Sequence, residues 1–265
     1  MTINNLLMTA IMPHPPIMLE EVGGKEIPKV QISIDGANQL SQKIVSLEPE
    51  LIVIITPHSV FDRNKFGIYY TDRIIGNMAR FGVSGLTLNF PGDKQFADKL
   101  VESAKNEQLE MQKFPENLGL DHGSFVPLYF LNKAGYKAKV CVINYCGLDR
   151  QSHLKFGRII KETIENYGEK AVFIASGDLS HKVTINAPAG YCPEGKIFDN
   201  KLIELVKQGD YKDIINLDQT LRHQAGECAY NSLMVAFGIL NGLPVHNHIY
   251  SYEAPFGVGY LVAEL

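Results

Sequence analysis

Leu51-Ile52-Val53-Ile54-Ile55-Thr56 decides the fold of this chain. The run is almost continuously apolar, rich in β-branched residues and of strand length, which marks a strand covered on both faces rather than one. Ahead of it, Gly36 to Leu47 reads as an amphipathic helix with Leu40, Ile44 and Leu47 at helical spacing, and Leu6 to Met12 reads as a first strand. The order is therefore β-α-β. Ala171-Val172-Phe173-Ile174-Ala175-Ser176 repeats the buried-strand pattern, and further strands are expected over Lys65 to Thr71, Val83 to Phe90, Lys139 to Tyr145, His246 to Glu253 and Gly257 to Ala263. Helices are expected over Lys94 to Asn106, from near Phe125, and over Ser152 to Tyr167, Gly195 to Lys207, Tyr211 to Leu217 and Ala225 to Leu240. This alternation predicts an α/β fold over residues 1–265: a single domain whose central mixed β-sheet is covered by helices on both faces.

Apolar residues make up 45% of the chain and charged ones 20%, an ordinary globular composition, and the net charge is −4. A pI near 6.1 without a Lys/Arg cluster speaks against nucleic acid or an anionic membrane as partner. The amino-terminal residues lack the pattern of a secretory signal, no apolar run approaches a membrane span, and a cytoplasmic location is expected. Cys141, Cys146, Cys192 and Cys228 have no C-x-x-C spacing and fit reduced thiols.

In sheets of this kind functional groups gather at the carboxyl ends of strands. His14 in Pro13-His14-Pro15-Pro16, His58 in Thr56-Pro57-His58-Ser59 and His181 in Gly177-Asp178-Leu179-Ser180-His181 each follow such an end. The flanking prolines narrow the directions in which His14 and His58 leave their strands, so the two imidazoles can converge on one metal ion. Asp178 is able to orient an imidazole. His122 in Asp121-His122-Gly123-Ser124 lies on a polar loop ahead of a helix and can bond a bound oxygen ligand. For a third, anionic ligand the best candidate is Glu227 in Gln224-Ala225-Gly226-Glu227-Cys228, although acidic residues also favour a helix's first turn for electrostatic reasons; Cys228 is a rival soft ligand. His246 and His248 share a strand face, and His153 and His223 are expected to be solvated.

These motifs, in this order, resemble the class III extradiol ring-cleavage dioxygenases, in particular the catalytic subunit of the protocatechuate 4,5-dioxygenase type, over nearly the whole chain. The resemblance implies that His14, His58 and Glu227 hold Fe(II), that His181 is the catalytic acid/base and that His122 sits near oxygen and substrate. Within that superfamily the ending Tyr252-Glu253-Ala254-Pro255-Phe256-Gly257-Val258-Gly259-Tyr260 is similar to the AmmeMemoRadiSam group, related to the Memo proteins, some of which carry cysteine where the dioxygenases use carboxylate. Three functions follow as expectations. The first is ring opening of a small aromatic diol with O2 by a homo-oligomeric iron enzyme. The second is metal binding without ring cleavage beside a radical-SAM or other partner protein. The third is hydrolysis on zinc or another divalent metal held by the same ligands.

Overall fold

In the computed structural model, which describes residues 5–241 and 247–265, the buried run quoted above is the second strand of a mixed eight-stranded sheet. The chain passes through β1 (Leu6–Met12), α1 (Glu20–Gly23), α2 (Gln31–Ser46), β2 (Leu51–Thr56), β3 (Lys65–Tyr69), β4 (Arg73–Met78) and β5 (Val83–Pro91). It continues through α3 (Lys94–Asn106), β6 (Glu110–Phe114), α4 (His122–Lys133), β7 (Lys139–Asn144), α5 (Arg150–Tyr167) and β8 (Ala171–Ser176). Helices α6 (Pro193–Gln208), α7 (Tyr211–Ile215), α8 (Gln219–Ala225) and α9 (Tyr230–Leu240) precede β9 (His248–Glu253) and β10 (Tyr260–Glu264).

The sheet order is β6-β3-β7-β2-β8-β1-β10-β9. Its middle, β7-β2-β8-β1, is parallel; β3 joins β7 and β10 joins β1 antiparallel. Alternate side chains of β2 enter opposite cores, as the double-sided burial demands: Leu51, Val53 and Ile55 pack with Phe96, Phe156 and Leu233, whereas Ile52 and Ile54 pack with Leu40, Phe125 and Phe90. One face is thus covered by α3, α5, α6 and α9, the other by α2, α4 and the β4-β5 hairpin. Helices α5 and α9 cross closely because Gly157 and Gly238 meet there: a methyl group on Gly238 would sit 2.1 Å from the Leu154 carbonyl oxygen. Among the described residues no helix is long and apolar enough to cross a membrane.

Some expectations need correction. Strands β4 and β6 were not anticipated; β6 is a sheet-edge strand whose residues are mostly exposed, so it lacks an apolar signature. The single helix expected over Ala225 to Leu240 is broken, since Gly226 takes the left-handed conformation (φ +63°) that ends α8, and α9 starts only at Tyr230. Helix α4 begins at His122 rather than near Phe125, capped by Asp121, which accepts the Ser124 N–H at 3.2 Å. His153 is buried, not solvated: its Nδ1 meets the Asp149 carbonyl oxygen at 2.8 Å, one helical turn back, and its ring packs on Phe66. His246 lies outside the described residues.

Candidate metal centre

Strands β2, β8 and β1 are consecutive parallel neighbours, so their carboxyl ends bring His58, His181 and His14 to one edge of the sheet. Local bonds hold each loop. The His14 backbone N–H donates to Asp178 Oδ1 at 2.9 Å, tying the end of β1 to the loop after β8. Beyond β2, Thr56 Oγ1 donates to Asp121 Oδ1 at 2.6 Å and accepts the His58 N–H, while the Ser59 N–H donates to Asn144 Oδ1, so β7 and the α4 cap steady the His58 loop. Gly123 is required beside them, because a Cβ there would lie 2.3 Å from Thr56 Oγ1.

A relay fixes the tautomer of His14. Pro127 has no N–H to offer the carbonyl of Gly123, four residues earlier in α4. That carbonyl instead accepts from Ser176 Oγ, and Ser176 Oγ in turn lies 2.8 Å from His14 Nδ1. With its own proton committed to Gly123, Ser176 accepts from Nδ1–H, leaving the lone pair of Nε2 turned into the site.

His14 Nε2 and His58 Nε2 stand 2.9 Å apart, close to the roughly 3 Å separating two nitrogens bound at right angles to one ion at 2.0–2.1 Å. The His122 ring stacks on His58 with centroids 4.3 Å apart and meets His14 edge-on at 5.4 Å. Desolvation favours the neutral, ligating form: buried His14 lies well below its ordinary range, with the neighbouring imidazoles adding to the effect, half-buried His122 and His181 are lowered as well, and His58, lowered to about 4, is the most exposed of the four. The four histidines expected at the site are therefore brought together.

Glu227 is the exception. Its carboxylate accepts from Arg222 Nε at 3.1 Å, Arg222 Nη2 at 3.0 Å and the Tyr230 N–H at 2.7 Å, and it does not join the imidazoles. In its place the structure sets Cys228: Sγ lies 3.6 Å from His14 Nε2 and 4.0 Å from His181 Nε2, and the donor atoms of His14, His58 and Cys228 all fall within 4.8 Å of one another. Asp178 pins this segment. Its carbonyl oxygen accepts the N–H groups of Cys228 and Ala229, and its own N–H points to Cys228 Sγ at 3.2 Å. Burial pushes the Cys228 thiol up and raises the Asp178 carboxyl to about 7, so neither carries full charge at neutral pH until a cation compensates it. Sequence reasoning placed Asp178 as an orienting residue but missed Ser176, Thr56 and Asp121, whose signals are single hydroxyl or carboxyl groups without a motif.

The donor set fits a divalent cation: two neutral imidazoles, that of His14 with its Nε2 lone pair aimed by the relay, and a thiol that a cation would ionise. Beside it opens a cavity of about 390 Å3, walled by His14, His58, His122, Asp178, His181 and Tyr260. His223 is exposed on α8, and His248, on β9 at the far edge of the sheet, packs against Tyr250.

Comparison with known proteins places these residues in context. Residues 8–263 match the family model described as the catalytic LigB subunit of aromatic ring-opening dioxygenase. Protein CA_C1420 of Clostridium acetobutylicum is 34% identical over 96% of the chain, which spans 56% of that protein's length. The 3,4-dihydroxyphenylacetate 2,3-dioxygenase of Escherichia coli is 24% identical, over 80% of the chain and 81% of its own. The crystal structure of the uncharacterized protein JW3007 from Escherichia coli K12 superposes with a TM-score of 0.62 at 18% identity, covering 86% of this chain and 91% of that one, and shares the fold.

Proposed function

The chain belongs to the family of the catalytic LigB subunit of aromatic ring-opening dioxygenases, and from that membership we propose that it uses Fe(II) and O2 to open the ring of a catechol-type aromatic diol. The observation that carries this reading is the meeting of His14 and His58, Nε2 to Nε2, beside a cavity that His122 and His181 also line. His14 and His58 would hold the metal, with Cys228 as the third protein donor in the arrangement described and Glu227 in the outer layer. When bound, such an ion brings the diol and O2 together and passes electrons between them.

His181 is the general acid/base. Its neutral imidazole is in the form that accepts a proton from a substrate hydroxyl, and it returns that proton later in the reaction. His122, stacked on His58 at the cavity wall, offers a ring nitrogen to an oxygen atom of the bound reactants. Tyr260 and Val258 supply an apolar flank against which an aromatic ring packs.

The test is direct. Protein loaded anaerobically with Fe(II) and then given O2 should consume oxygen and convert a catechol to a yellow ring-opened acid; absence of oxygen uptake over a broad catechol panel would count against the proposal.

One observation favours a second reading. A thiol beside the imidazoles is a softer donor set than two histidines and a carboxylate and suits zinc or copper as well as iron. On that reading the protein is a Memo-like metal-binding protein that works with a partner protein and opens no rings. Metal analysis after gentle purification, together with the oxygen-uptake assay, separates the two.

A further inference from the structure

His181 is held less directly than His14. Ser176 fixes the Nδ1 of His14, whereas the His181 ring has no comparable tether: its polar anchors are the backbone of Gly226 and a contact of 4.0 Å with Cys228 Sγ. Where that ring points is then set by where its backbone is held. The loop that carries it is bonded on three sides. The Leu179 N–H donates to the Gly259 carbonyl oxygen at 2.8 Å and the Ser180 carbonyl oxygen accepts the Gly259 N–H at 2.9 Å, which ties the loop to the approach to β10. The His181 N–H and Ser180 Oγ both donate to the Ala225 carbonyl oxygen, at 3.1 and 2.9 Å, which ties it to the end of α8. On the third side stands α6, where the Ser180 N–H donates to Asp199 Oδ1 at 2.8 Å.

Asp199 is fully buried, and nothing in the proposed chemistry uses it. Among the described residues no cation comes within ion-pair distance of it, and burial raises its carboxyl to about 7, so an acid in this place costs stability. What an acid offers here that an amide does not is two acceptor oxygens. While Oδ1 takes the Ser180 N–H, Oδ2 accepts from the Tyr252 hydroxyl at 2.7 Å, so one side chain joins the edge strand β9 to the residue beside His181. The surrounding packing is shaped to this bridge. A Cβ on Gly259 would lie 2.1 Å from Asp199 Oδ2, and one on Gly195, a helical turn before Asp199, would lie 2.4 Å from Ser180 Oγ.

We infer that Asp199 is the positioning residue of His181: by bridging Ser180 and Tyr252 it fixes the point from which the imidazole enters the cavity. The inference rests on the proposed reading of His181 as the acid/base and adds a residue, remote from the cavity, on which its placement depends. Asp199→Asn keeps the shape of the side chain but leaves one carbonyl oxygen for two donors, and Tyr252→Phe leaves the acid in place but frees Oδ2. Both variants loosen the hold on Ser180 without touching His14, His58 or Cys228.

NMR of protein labelled with carbon-13 at histidine Cε1 and loaded with Zn(II) tests this without any turnover. The His181 signal is identified by its absence in His181→Gln. In Asp199→Asn, and to a smaller extent in Tyr252→Phe, that signal should move or broaden while those of His14, His58 and His122 stay in place and Zn(II) affinity is unchanged. An unmoved His181 signal overturns the inference, and so does a joint movement of all four signals, which marks a general loss of packing. Should Asp199→Asn fail to fold, Tyr252→Phe carries the same two outcomes. Turnover gives a separate reading on the Fe(II)-loaded protein. If wild type opens a catechol, Asp199→Asn should lower kcat at least about tenfold with KM unchanged, and should add nothing to the loss in His181→Gln. An unchanged kcat, or a loss that adds to that of His181→Gln, overturns the positioning role and leaves the ring-opening proposal standing. If wild type opens no ring while the His181 signal alone responds, the ring-opening proposal falls and the positioning role remains.

Discussion

Arg222 grips the carboxylate of Glu227 through two nitrogens at 3.0 and 3.1 Å while its guanidinium lies 3.2 Å above the ring of Tyr230. This pair determines which of two adjacent donors faces the imidazoles. With Glu227 held back, its neighbour Cys228 is delivered instead, the turn at Gly226 setting the direction of the segment.

The donor set should therefore be readable by spectroscopy. Co(II)-loaded protein is expected to show a thiolate-to-metal charge-transfer band that Cys228→Ser removes and Glu227→Gln leaves in place. The opposite pattern, a band-free wild type whose Co(II) affinity collapses in Glu227→Gln, would make the carboxylate the ligand.

Removing the grip has a cost in stability as well. Arg222→Ala leaves a carboxylate with 6% side-chain exposure without its cation, and breaking such a buried pair typically costs about 3–5 kcal/mol. Urea unfolding of the metal-free protein should show a loss of at least roughly 2 kcal/mol, smaller for Arg222→Lys, given the partial exposure of the arginine.

Ser176 gives a milder and more specific test. Ser176→Ala removes the acceptor of His14 Nδ1–H while leaving both metal-facing nitrogens in place, and loss of such an outer hydrogen bond typically lowers metal affinity about 10- to 100-fold. A chelator competition titration checks this; unchanged affinity would show that the ring is oriented by other means.

His181→Gln should separate chemistry from binding. Metal content is expected to stay at the wild-type level, while turnover of any catechol opened by the wild type falls by about 10²- to 10⁴-fold, the usual worth of a positioned acid/base.

The pH dependence has a definite sign. His58 is held at about 4 in the folded protein against an ordinary value of 6.5, so the unfolded chain takes up a proton first as pH falls. Its contribution to stability is complete above pH 6.5 and is lost between 6.5 and about 4. Asp178 and Asp199, both raised by burial to about 7, act in the opposite direction, each making folding less favourable as pH rises from about 4 to 7. Replacing His58 by Gln should therefore remove one descending component, and metal-free His58→Gln should lose less stability than wild type on going from pH 7 to 4 in urea titrations, the difference being kept small by the exposure of the ring.

How far the chain could be read from its residues follows from where the information lies. Strands β2 and β8 were legible because both faces are buried and every residue had to be apolar or small, and His14, His58 and His181 were legible because they follow strand ends. Strand β6 was not, since an edge strand need bury little, and His153 was misplaced because a local carbonyl takes its Nδ1 and Phe66 packs on its ring inside the core. The choice between Glu227 and Cys228 could not be read from spacing. It depends on a guanidinium five residues earlier and on the backbone of Asp178, fifty residues earlier, which only the folded chain brings alongside.

Strand β8 lies between β1 and β2, and this has a consequence for the order of events in the cell. A growing polypeptide that has already exposed His14 and His58 still lacks the segment that sets them side by side, and it lacks the thiol-bearing loop until later still. A cation bound in this arrangement would therefore be bound only after residue 228 has emerged and β8 has taken its place between the two strands.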